Sequence, residues 1–173
     1  MSINTALINE LTDQYLSEFI AIREHIHAHP ELSFQEFETA KYISSKLTEY
    51  GIAHTTGVAG TGIVALIEGQ QADSKVIALR ADMDALPIQE KNNTAYRSQH
   101  DGVMHACGHD VHSTCLLGAA KILQETKHLW KGSVKCIFQQ GEEKHPGGAS
   151  LLIQAGVLEN PKPSAIFALH VYP

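Results

Sequence analysis

Residues 104–112 hold the densest group of reactive side chains in this chain. Their sequence, MHACGHDVH, combines a thiol, several imidazoles and a carboxylate. In an extended chain, residues two positions apart point in the same direction, so Cys107 and His109 can face one point in space. Gly108 lies between them and permits a tight turn. A thiolate beside an imidazole is a pair that zinc or a similar ion prefers, although a free core cysteine near surface histidines has the same pattern.

Further polar side chains each follow a predicted strand. They are Asp82 with Asp84, Glu142 with Glu143, and His170. In open α/β sheets, sites form beyond the carboxyl ends of the strands. The helix that follows residues 104–109 would begin on the same edge. The sequence therefore predicts that these groups meet at one rim of a sheet and bind metal there.

The candidate ligands could hold either one metal ion or two, and the sequence leaves this number open. The four candidates for a single tetrahedral zinc are Cys107, His109, Glu143 and His170. A thiolate and carboxylates can instead bridge two ions roughly 3.5–4 Å apart, which polarise a carbonyl and lower the pKa of a bound water towards about 7. A neighbouring carboxylate would then take the proton of that water. Because adjacent extended residues point oppositely, one of Glu142 and Glu143 can bind metal while the other reaches the water, although a solvated turn would look the same.

The elements around these groups alternate between helix and strand. Apolar residues at steps of three and four predict helices over residues 3–28 and 37–50, and Ser33 with Glu36 predicts a capping box for the second. Strands are predicted over residues 63–67, 76–79, 134–139 and 165–169. Two more helices are predicted, one after Asp110 and one over residues 149–155, and Asp110 would cap the first of them. Residues 90–103 are predicted to form a surface loop. The fold class is therefore α/β, a sheet with helices on both faces.

Composition excludes several classes of function. The chain has 173 residues and a net charge of -6, which suits one domain and argues against a nucleic-acid partner. Three cysteines provide no even disulfide framework, so a reducing, cytoplasmic compartment is expected. No apolar run approaches the roughly 20 residues of a membrane span, and the start lacks a signal-peptide layout. Neither a membrane nor a nucleic acid is therefore an expected partner.

Motifs along nearly the whole chain resemble those of one enzyme group, the hippurate hydrolases, N-acyl-amino-acid amidohydrolases and auxin-conjugate hydrolases, which are dinuclear metallopeptidases. The motifs are HAHPELS at 27–33, RADMDALP at 80–87, MHACGHD at 104–110, the Glu142-Glu143 pair before Gly147-Gly148, and LHV at 169–171. Their order and spacing agree with the group.

The resemblance implies a three-layer, zinc-peptidase-like α/β sandwich with a central mixed sheet. The implied ligands of two divalent ions, zinc, manganese or similar, are Cys107, His109, Glu143 and His170. Cys107 would bridge the ions, and Glu142 would be the general base and later the proton donor to the leaving amine. Asp84 would orient a ligand. The implied substrate is a small N-acyl or N-aroyl amino acid, hydrolysed at its amide bond.

The chain also departs from the group. Gln140-Gly141 stand where Pro-Ala often precedes the glutamate pair. Members of the group are about twice as long. They also contain a lid or dimerisation domain, through which a homodimer would form. A C-terminal segment in these members supplies one more histidine ligand. Residues 1–173 are therefore expected to be the N-terminal part of a catalytic domain. An incomplete site predicts weak or absent activity for this chain alone.

Two other interpretations remain open from the sequence. Cys107 could be the nucleophile of a metal-independent cysteine amidase, with His109 or His105 as its base. The chain could also be a truncated, non-catalytic module that binds metal or a partner chain through an open edge.

Overall fold

Five strands form one mixed sheet in the computed structural model, which describes residues 4–172. The strands are β1 (His54–Val58), β2 (Gly62–Glu68), β3 (Val76–Asp82), β4 (Ser133–Gln139) and β5 (Ile166–Ala168). The α-helices are α1 (Thr5–Ala28), α2 (Phe37–Glu49), α3 (His109–Glu125) and α4 (Gly148–Gln154), with short 3-10 helices at Ala72–Ser74 and Lys127–Leu129. The predicted helix over 3–28 is confirmed as α1, and Ile3 lies outside the described residues.

The strand order places three parallel strands side by side. The order is β1-β2-β4-β3-β5, in which β3 runs parallel to β4 and to β5, whereas β1 and β2 are antiparallel to their neighbours. Asp82 is in register with Gln139, and Arg80 with Ala168. The segments after β3, β4 and β5 therefore leave the sheet at one edge, as the sequence predicted.

Helices cover both faces of this sheet. Helices α1, α2 and α3 pack on one face around Ile43, Leu117 and Phe138, and Leu152 of α4 packs on the other against Ile137. This arrangement confirms the α/β class with a mixed sheet between helical layers. None of the helices within residues 4–172 combines the length and apolarity needed to cross a membrane.

Strand β4 is buried at all of its positions because it lies in the middle of the sheet with both faces covered. Its polar residues are therefore satisfied inside the protein. The ammonium group of Lys135 donates hydrogen bonds to the carbonyl oxygens of Val157 and Glu159, both at 2.7 Å. Burial lowers the pKa of Lys135.

The capping predictions were wrong. Glu36, the residue before α2, forms no side-chain cap, and the hydroxyl of Ser33 donates instead to Asp84 Oδ2 at 2.6 Å. The first turn of α2 is capped by the carboxylate of Glu31, which accepts hydrogen bonds from the backbone N–H groups of Glu38 and Thr39 at 3.2 and 2.7 Å. The carboxylate of Glu36 accepts a hydrogen bond from the backbone N–H of Gly141 at 2.8 Å. Asp110 lies within the first turn of α3 and pairs with α1 rather than capping its own helix. Ser33 and Asp110 thus bond to long-range partners, and Glu36 bonds both to Gly141 and to the nearby N–H of Phe34.

Candidate metal centre

The edge formed by the ends of the parallel strands brings the four predicted ligands together. Cys107 Sγ lies 3.6 Å from His170 Nε2. His109 Nε2 lies 3.9 Å from Glu143 Oε1. Ligand atoms of Cys107, His109 and Glu143 lie within 4.8 Å of one another. Side chains from three separate parts of the chain therefore face one point, as a metal site requires.

His109 has the hydrogen-bond arrangement of a metal ligand. Its Nδ1 donates to the backbone carbonyl of Asp84 at 2.7 Å, which leaves Nε2 as the free nitrogen. That nitrogen is buried without a hydrogen-bond partner and faces two carboxylates, 3.7 Å from Asp82 Oδ1 and 3.9 Å from Glu143 Oε1. Such separations are too long for hydrogen bonds. They suit two ligands of one ion bound at about 2.0–2.2 Å each.

Asp84 connects His109 to the glutamate pair. Its Oδ2 accepts hydrogen bonds from Ser33 Oγ at 2.6 Å and from the backbone N–H of Glu143 at 3.0 Å. Burial disfavours its charge, but the hydrogen bonds from His109, Ser33 and the backbone of Glu143 outweigh burial and hold the pKa of Asp84 well below its usual range. The carboxylate therefore stays charged and fixes both His109 and the turn after β4.

The Glu142-Glu143 pair is held by the residue before it. Gly141 has φ +54°, and its N–H donates to the buried carboxylate of Glu36 at 2.8 Å. A Cβ at position 141 would lie 2.3 Å from the ring of Phe34, so only glycine fits this turn. Glu143 directs Oε1 towards His109, and the side chain of Glu142 is exposed to solvent.

The protein groups around Cys107 favour its protonated thiol. Burial, together with the carboxylate of Glu143, raises the pKa of Cys107 to about 11. A reactive cysteine needs a lowered pKa instead. Burial also lowers the pKa of His105 to about 4, and neither ring nitrogen of this histidine has a partner among the described residues. His105 is therefore not placed to act as a base for this thiol, and the imidazole at hydrogen-bond distance from Cys107 Sγ is that of His170, with Nε2 at 3.6 Å. A bound cation would stabilise the thiolate of Cys107.

Two further side chains lie at this centre. Sequence reasoning placed Asp82 at the same rim without naming it as a ligand, and it assigned no role to His112. Asp82 Oδ1 lies 2.6 Å from His112 Nδ1 and 3.7 Å from His109 Nε2. The other carboxylate oxygen of Asp82 accepts a hydrogen bond from Arg80 at 2.6 Å. Helical spacing could have indicated His112, because residues three apart on a helix, such as His109 and His112 on α3, share a face.

The donor set fits a divalent transition-metal ion. It combines one sulfur, imidazole nitrogens and carboxylate oxygens, the ligand types found at zinc and related ions. Burial disfavours a charged imidazole, but Asp84 and Asp82 together raise the pKa of His109, which shows how negative this edge is. A cation would balance that charge and would give the buried Nε2 of His109 a partner.

Comparison with known proteins agrees with this geometry. Residues 78–173, more than half of the chain, match the sequence profile of peptidase family M20/M25/M40. The chain belongs to this family. The membership in a family of metallopeptidases that the motifs predicted is thereby confirmed, and we call the protein the M20 chain.

Named relatives of the M20 chain are longer proteins. An N-acyl-L-amino acid amidohydrolase of Geobacillus stearothermophilus is 46% identical over 152 residues, which cover 88% of this chain and 41% of that protein. The IAA-amino acid hydrolase ILR1-like 5 of Arabidopsis thaliana is 44% identical, over 92% of this chain and 35% of that protein. The chain thus spans less than half the length of these curated relatives.

A solved structure supports the fold. The Bacillus subtilis YXEP protein, described as a dinuclear metal-binding peptidase of the M20 family, matches with a TM-score of 0.87 and 44% sequence identity. The match covers 93% of this chain and 44% of that one. The fold of the M20 chain is therefore shared with one part of a larger metallopeptidase.

Proposed function

We propose that this chain carries the metal ligands of an amidohydrolase that cleaves the amide bond of N-acyl or N-aroyl amino acids. The observation that supports it most is the unpartnered Nε2 of buried His109, with the other ligand candidates around it. The names of the relatives, one an N-acyl-L-amino acid amidohydrolase and one an IAA-amino acid hydrolase, support the substrate class.

Each side chain has a role that follows from its place. The residues that would hold two divalent ions are Cys107, His109, Glu143 and His170. When bound, such ions would polarise the carbonyl of the substrate and lower the pKa of a water molecule. Glu142, which is exposed and adjacent to Glu143, would serve as the general base towards the attacking water and as the proton donor to the leaving amine. Asp84 holds the tautomer of His109 through its carbonyl, so that Nε2 stays available to the metal.

We also propose that residues 1–173 form the N-terminal part of a larger catalytic domain. The share of the relatives' length that this chain covers supports this division. So does the edge strand β5, whose neighbourhood exposes large apolar side chains. These are Ile166, Phe167, Leu169 and Tyr172. A further segment of the catalytic domain would cover them, and the chain alone would then hydrolyse substrate weakly or not at all.

Metal analysis with matched variants tests the proposal. Cys107→Ser should lose bound zinc or manganese, whereas Cys115→Ser, which changes an exposed thiol on α3, should retain it. Glu142→Gln should retain metal and abolish hydrolysis of N-benzoylglycine by the full-length protein, with Glu159→Gln as the control. Metal binding by Cys107→Ser at the wild-type level would refute the proposed centre.

The same assay separates the other two interpretations. A cysteine amidase would keep its activity in the presence of a chelator and lose it on alkylation. A non-catalytic module would bind metal but would not hydrolyse the substrate, even in the full-length protein.

A further inference from the structure

We infer that His112 is a positioning residue that holds His170 beside Cys107, and that it is not itself a metal ligand. The inference rests on the proposed metal centre and assigns a role within it. His112 is buried on α3, one turn after His109. Its distance from Asp82 and His109 would also allow it to bind an ion, so the choice between the two roles depends on its hydrogen bonds.

Both ring nitrogens of His112 are occupied by protein groups. The backbone N–H of Val171 lies 3.0 Å from Nε2, and because a backbone N–H can only donate, Nε2 must be the acceptor. The proton therefore sits on Nδ1, which donates to Asp82 Oδ1 at 2.6 Å. Neither nitrogen is left with a free lone pair for a metal. His109 differs in this respect, since its Nε2 has no partner.

The hydrogen bond accepted by His112 Nε2 matters because the segment that carries His170 has few other contacts with the described residues. Strand β5 is three residues long and exposed throughout, and within residues 4–172 its only strand partner is β3. Beyond it, Val171 is held at this edge by its N–H bond to His112 and by close packing over Gly108. Since His170 precedes Val171 directly, these two contacts set the approach of His170 Nε2 to Cys107 Sγ.

Asp82 fixes His112 in turn. Arg80 Nη1 donates to Asp82 Oδ2 at 2.6 Å, while Arg80 Nε donates to Gln139 Oε1 at 2.9 Å. With one oxygen held by Arg80, the other is directed at His112. A continuous series of hydrogen bonds thus runs from β4 through β3 and α3 to the residue after His170.

Cobalt titration of the 173-residue chain tests this role, because a Cys107 thiolate bound to Co²⁺ absorbs in a charge-transfer band. His112→Asn keeps a donor towards Asp82 but loses the acceptor for Val171, and we expect about tenfold weaker binding, as is typical when a group that orients a ligand is lost. His112→Gln places an acceptor near the position of Nε2 and should recover part of the affinity. His54→Asn is the matched control, since both nitrogens of His54 are also hydrogen bonded, on β1.

A double-mutant cycle with His170→Ala distinguishes positioning from ligation. If His112 acts through His170, His112→Asn should weaken Co²⁺ binding no further once His170 is alanine. Fully additive losses, or unchanged binding by His112→Asn, would overturn the inference while leaving the metal centre intact. Absence of the band in the wild-type chain would instead overturn the proposed function and this inference with it.

A measurement on the wild-type chain needs no variant to fold. Nitrogen-15 NMR of the imidazoles should identify His112 as the Nδ1–H tautomer, both before and after addition of Zn²⁺. A proton on Nε2, or a metal-induced shift typical of a bound nitrogen at His112, would contradict the role assigned here.

Discussion

Replacing Gly108 by alanine should displace the segment that carries His170. Gly108 has φ +90°, a conformation that side-chain-bearing residues rarely adopt. A Cβ built there lies only 2.4 Å from Val171 Cγ2, whereas ordinary contacts begin at 3.4 Å. Val171 would have to retreat by about 1 Å to restore a normal contact, and His170 would move with it.

The expected magnitude has two parts. The left-handed backbone costs roughly 1–2 kcal/mol for a residue with a Cβ, and the displaced contact adds about 1 kcal/mol. For a chain of this size the sum corresponds to a fall in Tm of roughly 5–10 °C. Metal affinity should fall about tenfold as well, because His170 leaves its position beside Cys107.

Matched variants separate the two parts. Val171→Ala in the Gly108→Ala background leaves a Cβ–Cβ distance of 3.9 Å, so it should restore metal binding while the backbone cost remains. Gly102→Ala has the same kind of positive φ, +77°, with no atom within 4 Å of its Cβ, and should lose stability without losing metal affinity. Thermal unfolding followed by circular dichroism and Co²⁺ titration provide the measurements. Equal metal affinities for wild type and Gly108→Ala would refute the reasoning.

Three further outcomes follow from buried hydrogen bonds. Ser33→Ala removes a donor to the charged carboxylate of Asp84 and should cost about 2 kcal/mol in urea unfolding, with weaker metal binding. Glu36→Ala leaves two backbone N–H groups and a hydroxyl without their acceptor and should cost about 3 kcal/mol in the same assay. The hydrogen bond to Asp110 raises the pKa of His27 above 6.5, so the stabilisation by His27 is complete below that pH and disappears as the pH rises through the folded-state value. The stability difference between wild type and His27→Gln should therefore shrink as the pH rises above about 6.5.

Variants at exposed positions serve as controls for Ser33→Ala and Glu36→Ala. Ser45→Ala removes a hydroxyl bonded to a carbonyl at the surface, and Glu38→Ala removes an exposed carboxylate that pairs with Lys41. Both should change stability by less than about 0.5 kcal/mol. Losses as large as those of the buried variants would show that burial is not the cause. For His27, a difference that stays constant with pH would contradict the assigned linkage.

The sequence by itself predicted the elements with a strong pattern and the residues with distinctive chemistry. The apolar period of α1 and the continuous apolar run that begins β3 are local signals, and both elements formed where they were expected. The motif around Cys107 and His109 predicted a family relationship that the profile match confirmed. The roles of Glu142 and the four ligands stay predictions until metal binding and hydrolysis are measured.

Strand β1 and the central position of β4 could not be predicted in this way. Residues 54–58 have no alternating apolar pattern, and their pairing with β2 makes them a strand. Strand β4 carries Lys135 among its apolar residues, yet Lys135 is buried and bonded to two carbonyls from beyond α4. Which side chains are covered depends on neighbours that are distant in sequence.

The sequence determined which groups can bind a metal, because ligand chemistry belongs to the residue type. The tertiary structure decided how each histidine is used. His109 and His112 have the same side chain on the same helix, but the carbonyl of Asp84 leaves one Nε2 free and the backbone of Val171 occupies the other. That difference arises from partners brought together only when β3, α3 and β5 meet at one edge, since a hydrogen bond depends on distances that the order of residues does not specify.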